Sequence, residues 1–197
     1  MNLPRMRPSD ADSDDDQALV RRIGAGDRAA CAALVDRYLS RIHAFAARVL
    51  GDPADAEEVA QDVFLRVWEH AARWRPQGAR FSTWLYQVAL NACRDRLRRR
   101  RELLPLDEGA AASPEQSPEW RMQEASVSAR VRDAMSELPE RQREALVLCH
   151  FHELPQAEAA VVLGVSVDAL ESLLARGRRG LRQRLLDERP HLTGDLP

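Results

Sequence analysis

From Gln17 onward the apolar residues recur at three- and four-residue steps, the period of one helical face, and not at the alternating step of a strand. Leu34, Tyr38, Ile42, Phe45 and Val49 form one such stripe, on a helix that Asp27 caps and that runs to about Leu50. Gly51 stops it, and Asp52 followed by Pro53 reads as a cap and a first helical residue. The next helix reaches about Trp74, with Val59/Ala60, Val63/Phe64 and Val67/Trp68 as its apolar side. Arg75-Pro76-Gln77-Gly78 reads as a loop. Ser82 or Thr83 then caps a helix carrying Trp84, Leu85, Val88, Ala89 and Ala92, which ends in arginine-rich sequence.

The pattern lapses over 102–126, where Pro105, Pro114 and Pro118 mix with alanines and acids; this reads as a flexible acidic linker. It resumes near Ser126. Leu138-Pro139 opens a helix with Ala145, Leu146 and Leu148, and Pro155 opens a short one from Gln156 to Leu163. Gly164-Val165-Ser166 is a tight turn, and Ser166 caps a last helix from Val167 to about Leu186. No strand and no internal repeat emerges. The expected fold is all-α, with two small helical domains over 17–101 and 127–187, the second a helix-turn-helix. A disordered acidic tail is expected over 1–16 and a C-terminal tail over 188–197, with no fused sensory module beyond residue 187.

Charge sharpens this division. All 29 basic residues are arginine, and the net charge of −2 conceals a basic first module. Residues 21–101 carry sixteen arginines against nine acids, whereas 102–126 carry one against six. Three scattered cysteines, Cys31, Cys93 and Cys149, make no disulfide framework and suit a reducing cytoplasm. No apolar run is long enough for a membrane span, and the N-terminus lacks the apolar stretch of a secretory signal.

Four places carry candidate chemistry. In the last helix Leu170, Leu174, Leu181 and Leu185 share one arc, and Asp168, Ser172, Ala175, Arg176, Arg179 and Arg182 lie opposite. That face suits a DNA major groove, or it is the solvated side of a plain helix pair. Glu58, Gln61, Asp62 and Leu65 share one side of the 53–74 helix, a polar patch that either docks a basic helical partner or is simply solvated. Over 73–101, Trp74, Phe81, Trp84 and Tyr86 are interleaved with Arg73, Arg75, Arg80, Arg94, Arg96 and Arg98, the pairing of stacking platforms and phosphate contacts that holds a single strand; Trp84 is assigned mainly to the core. Cys149-His150-Phe151-His152 contains zinc-binding groups, but the spacing is too short for a standard finger, so Cys149 is assigned to the core and the histidines to the surface. No metal, no cofactor and no catalytic constellation is expected, so the chain is not read as an enzyme. The competing reading is a two-module helix-turn-helix regulator that binds duplex DNA without polymerase.

Three ordered segments carry a resemblance that bears on these readings. Asp55-Ala-Glu-Glu-Val-Ala-Gln-Asp-Val-Phe-Leu-Arg-Val-Trp68 resembles the polymerase-docking segment of bacterial extracytoplasmic-function (ECF) sigma factors. Phe81-Ser-Thr-Trp-Leu-Tyr-Gln-Val-Ala-Leu-Asn91, with Arg94, Asp95 and Arg96, is similar to their promoter-melting segment. Leu138-Pro-Glu-Arg-Gln-Arg143 and the helix-turn-helix resemble their −35-reading domain. The resemblance implies core RNA polymerase as partner, through its β′ and β subunits, with Glu58, Gln61, Asp62, Phe64 and Leu65 on a β′ coiled coil. It implies promoter DNA as a second partner. Trp74, Gln77, Arg80, Phe81, Asn91, Arg94 and Arg98 would hold the −10 region, and Ser172, Arg176 and Arg179 the −35 element. It also implies an anti-sigma factor that masks these surfaces. Glu171 and Leu173 stand where many members carry basic residues.

Overall fold

The computed structural model describes residues 10–75, 80–103 and 127–187. Every regular element among them is helical. The first module holds α1 (Asp10–Gly24), α2 (Arg28–Leu50), α3 (Pro53–His70) and α4 (Phe81–Leu103). The second holds α5 (Val127–Ser136), α6 (Glu140–Leu146), α7 (Gln156–Leu163) and α8 (Val167–Asp187). Helix α6 runs on through a π-helical turn, Val147–Phe151.

The helix ends follow local chemistry. Asp27 Oδ1 accepts from the amides of Ala29 and Ala30, and Asp52 Oδ1 from those of Ala54 and Asp55, so both predicted caps are made. Gly51 ends α2 at a φ of 74°, where a side chain would be strained. Gly164 does the same at the helix-turn-helix corner, at φ 66°. Ala159 and Ala160 are buried where α7 meets its neighbours, and Ser166 Oγ accepts from Ala169 N as the cap of α8.

The stripe of α2 is the axis of the first core. Leu34, Ile42, Phe45 and Val49 are buried against Val59, Val63 and Val67 of α3 and Phe81, Leu85 and Leu90 of α4. Each such side chain contributes about 1.5–3 kcal/mol on leaving water. Leu138, Leu146, Leu148, Leu163, Leu170 and Leu174 fill the second core.

Several expectations need correction. Residues 10–16 are not a tail: α1 begins at Asp10, and Asp15 and Asp16 face a cationic partner. Arg37 Nη1 donates to Asp16 Oδ1 at 2.6 Å, Arg37 also pairs with Asp15, and the Tyr38 hydroxyl bonds the buried Asp16. Burial, then the Asp16 carboxylate, pushes the Tyr38 phenol well above its usual range. Helix α3 stops at His70, not near Trp74, and Trp68 is exposed, not part of the apolar side. Phe81 already opens α4, so Ser82 and Thr83 are not caps; Thr83 is buried and used elsewhere. Helix α4 continues to Leu103, one turn's edge into the segment read as linker; residues 104–126, like 1–9 and 188–197, lie outside the described residues.

Candidate nucleic-acid interface

Helix α3 buries Val59, Val63 and Val67, which turns Glu58, Gln61, Asp62 and Leu65 outward; Leu65 is 62% exposed. Phe64 is half-buried against the core. Glu58 is not wholly free: Arg96 of α4 bonds it at 2.6 Å through Nη1 and reaches Asp55 Oδ1 through Nε and Nη2 at 2.9 and 2.6 Å. Arg96, grouped with the strand-binding arginines by sequence, is therefore a brace between α3 and α4.

The start of α4 is aromatic. The Phe81 ring is fully buried, with Trp74 at 5.6 Å, Trp84 at 5.5 Å and Tyr38 at 6.1 Å between ring centroids. Phe81 presents no face to a base; it holds Trp74 and Trp84, both half-buried, so Trp84 packs against the core without lying inside it. Beside them opens a cleft of about 370 Å³, lined by Arg73, Trp74, Arg75, Trp84 and Gln87, with Val161 of α7 at its margin. Gln77 lies outside the described residues. Further along α4, Asn91 and Arg98 are exposed, and Arg98 pairs with Asp95 of its own helix at 3.1 Å. Cys93 is buried, and burial followed by the Glu144 charge pushes its thiol up to about 12, so it is inert at neutral pH.

Arg80 and Arg94 have partners in the second module. Arg94 donates through Nε and Nη2 to the two oxygens of Glu144 at 2.8 and 2.7 Å. Arg80 Nη1 stands 3.5 Å from Glu158 Oε1, and the Thr83 hydroxyl donates to Glu158 Oε2 at 2.9 Å. Nothing in the spacing of Glu144 or Glu158 marked them: Glu144 ends a run of charged and polar residues, Glu140 to Arg143, and Glu158 stands among alanines.

Helix α8 keeps Leu170 and Leu174 inward and Asp168, Ser172, Ala175, Arg176, Arg179 and Arg182 outward, as its periodicity predicts. Gly177 lets it approach α6: a Cβ there would lie 3.0 Å from Leu146 Cδ1.

His152 is not a surface histidine. Its Nδ1 lies 3.0 Å from the Tyr86 hydroxyl and its ring packs at 5.5 Å on Phe45, while His150 is exposed. Among the described residues no three His, Cys, Asp or Glu side chains converge as metal ligands. His152 Nε2 is buried without a protein partner. Burial, then Arg48 and Arg41, depress its pKa to about 3. Above pH 6.5 the imidazole is neutral in the folded and the unfolded chain alike, so His152 adds no pH dependence there. Below it the unfolded chain takes a proton that native His152 refuses, so stability falls as pH drops from 6.5 toward 3. At about 1.4 kcal/mol per unit, urea unfolding at pH 5 should show the native chain losing about 2 kcal/mol more, relative to pH 7, than His152→Gln. Equal losses would show that His152 takes its proton without opening the site.

Comparison with known proteins fits this geometry. The Sigma-70 region 2 family matches residues 34–102, which hold α3 and α4, and the Sigma-70, region 4 family matches 128–181, which hold the helix-turn-helix. The RNA polymerase sigma factor CnrH of Cupriavidus metallidurans is 35% identical over 92% of this chain and 97% of its own length. The ECF RNA polymerase sigma factor SigW of Bacillus subtilis is 28% identical over 85% of this chain and 95% of its own. The chain is an ECF sigma factor. A solved structure of CnrH, in complex with the cytosolic domain of CnrY, superposes with a TM-score of 0.64 at 31% identity, covering 88% of this chain and 98% of that one. As an ECF sigma factor the chain serves transcription initiation, with core RNA polymerase and promoter DNA as its partners. That sets aside the regulator without polymerase docking. No described helix of this sigma factor is long and apolar enough to cross a membrane.

Proposed function

We propose that three helices divide the work of this sigma factor. Helix α3 offers Gln61, Asp62 and Leu65, with Glu58 and Phe64 at the edge, to a coiled coil of core polymerase. Short polar and charged side chains around one exposed leucine suit a helical partner bearing arginines, since charge-assisted hydrogen bonds form around an apolar contact. The Trp74–Trp84 cleft and α4 take the opened −10 strand: the tryptophans stack bases, and Asn91, Arg94 and Arg98 follow the backbone, joined by Gln77 and Arg80. Phe81 acts as a positioning residue beneath the two tryptophans. Helix α8 enters the −35 major groove with Ser172, Arg176 and Arg179.

The chain itself catalyses nothing in this scheme. Binding the separated strand better than the duplex shifts the promoter toward its melted state, which is recognition of one of two states and not bond chemistry. It works in the cytoplasm, where polymerase and promoter are. An anti-sigma factor controls it by covering these surfaces; CnrH, 31% identical in its solved structure, is seen there in complex with CnrY.

One observation supports the scheme above the rest: matches to regions 2 and 4 occur in that order on one chain, and each residue set falls inside its region. Run-off transcription with purified core polymerase on a promoter library tests it. One bipartite sequence should be enriched. Replacing Ser172, Arg176 and Arg179 with alanine should flatten the preference at its upstream half, since each base-edge contact discriminates by about 1–3 kcal/mol. Unchanged preference there would remove α8 from −35 reading.

A further inference from the structure

Charge is divided along α8. Its exposed acids, Asp168 and Glu171, lie in the first two turns, and Arg176, Arg178, Arg179 and Arg182 follow. No arginine of the helix is placed to neutralise the acids. The positions three and four beyond Asp168 are Glu171 and Ser172, and those beyond Glu171 are Leu174 and Ala175. At a step of three, the two carboxylates instead repel each other. Among the described residues neither has an ion pair or a side-chain hydrogen bond. By contrast Glu137, Glu140, Glu144 and Glu158 of the same module each meet an arginine.

Asp168 sits in the first turn, where the helix dipole favours a negative charge. That effect fades beyond the first turn, so the helix gains from Asp168 and only loses from Glu171. Against duplex DNA the Glu171 carboxylate has few places to go. The leading end of the second helix of a helix-turn-helix reaches base edges in the major groove. Phosphates on the groove walls repel a carboxylate whatever the sequence. On the floor, guanine O6 and N7, thymine O4 and adenine N7 are acceptors and repel it as well. The donors are the amino groups of cytosine and adenine. Adenine sets its amino group beside N7, whose lone pair faces the second carboxylate oxygen, whereas cytosine has a C–H at the neighbouring position. Cytosine is therefore the base whose edge this side chain fits.

We infer that Glu171 is a specificity-determining residue of α8: its carboxylate accepts from the exocyclic amino group of one cytosine in the −35 element and rejects guanine, adenine and thymine there. The inference rests on the reading of α8 as the −35 helix and gives that reading a base. Exposed arginines such as Arg176 and Arg179 attract any duplex through its phosphates. Glu171 subtracts from that attraction except where a cytosine stands. Selectivity at this position thus comes from a repulsive contact as much as from an attractive one.

The test uses holoenzyme, assembled from core RNA polymerase and the full chain, and run-off transcription from a library randomised over the upstream element. Wild-type holoenzyme should enrich cytosine at one upstream position, favouring it over each other base by about fivefold or more. Glu171→Ala should cut that discrimination to about twofold or less by raising output from the mismatched promoters. Glu171→Gln should move the preference from cytosine toward adenine, since an amide accepts from the adenine amino group and donates to N7. Glu171 is exposed, so both substitutions leave the helix-turn-helix packing intact, which thermal melting checks. An unchanged upstream preference in Glu171→Ala overturns the inference. A uniform fall in output from every promoter also overturns it, as the mark of a structural role, and so does loss of preference for a base other than cytosine. Ser172→Ala/Arg176→Ala/Arg179→Ala separates this inference from the reading beneath it. If that variant flattens the upstream preference and Glu171→Ala does not, α8 reads the element without Glu171. If neither flattens it, or if wild type has no upstream preference, the placement of α8 is at fault and the role of Glu171 falls with it.

Discussion

Replacing Gln61 and Asp62 together with alanine is expected to release this sigma factor from core RNA polymerase while leaving its fold intact. Both side chains are exposed on α3, on the side opposite the buried Val59, Val63 and Val67, so their loss opens no cavity. Exposed substitutions of this kind usually change stability by within about 0.5 kcal/mol. The binding cost is larger. A hydrogen bond to a charged group is worth about 1.5–3 kcal/mol, and removing two at the centre of an interface should weaken it by about a hundredfold or more. Leu65→Ala should add to the loss through apolar contact. Co-elution with core enzyme and run-off transcription measure the first effect, and thermal melting the second. If the double variant still co-elutes at wild-type concentrations, α3 docks elsewhere and the 58–65 face is only solvated. Glu58→Ala should behave differently, because Glu58 also bonds Arg96: part of its effect would come through the brace to α4.

The helices themselves were legible because their signals are local. The Asp27 and Asp52 caps, the glycines at positions 51 and 164 and the α2 stripe each act within a turn or two of chain. The start of α1 was not, because five aspartates in seven residues argue against a helix until Arg37 and Tyr38, more than twenty residues away, receive two of them. The same distinction separates the parts of the site. The outward faces of α3 and α8 follow from periodicity alone. The roles of Arg96, Thr83, Phe81 and His152 depend on neighbours between about 40 and 75 positions distant, or on burial that no spacing reveals. Arginine composition marked α4 as a basic helix. It carried no information about which anions: the two that meet Arg94 and Arg80 lie about 50 and 78 positions further along the chain.

Phe45→Ala should be the most destabilising single change at the junction of the modules. Phe45 has no exposed surface, and its ring packs edge-on against Tyr86 at 5.3 Å within its own module and against His152 at 5.5 Å in the other. Truncating a buried phenylalanine costs about 3–5 kcal/mol, because the lost transfer energy is compounded by a void that rigid helices close only in part. For a chain of this size that is a fall in melting temperature of roughly 6–20 °C. Leu39→Ala, on the same helix but 43% exposed, should move it by far less. Two rings lose their neighbour at once, so the damage should spread across the junction: His152 gains access to water, its pKa rises toward that of a free imidazole, and the stability lost between pH 7 and pH 5 shrinks in this variant. NMR titration of the His152 ring reads that change directly. A melting temperature within a few degrees of wild type would mean that α2 and α4 close over the void. A histidine pKa unmoved by the substitution would mean that Phe45 supports only the first module, and that the contact with His152 is incidental to how the two modules hold together.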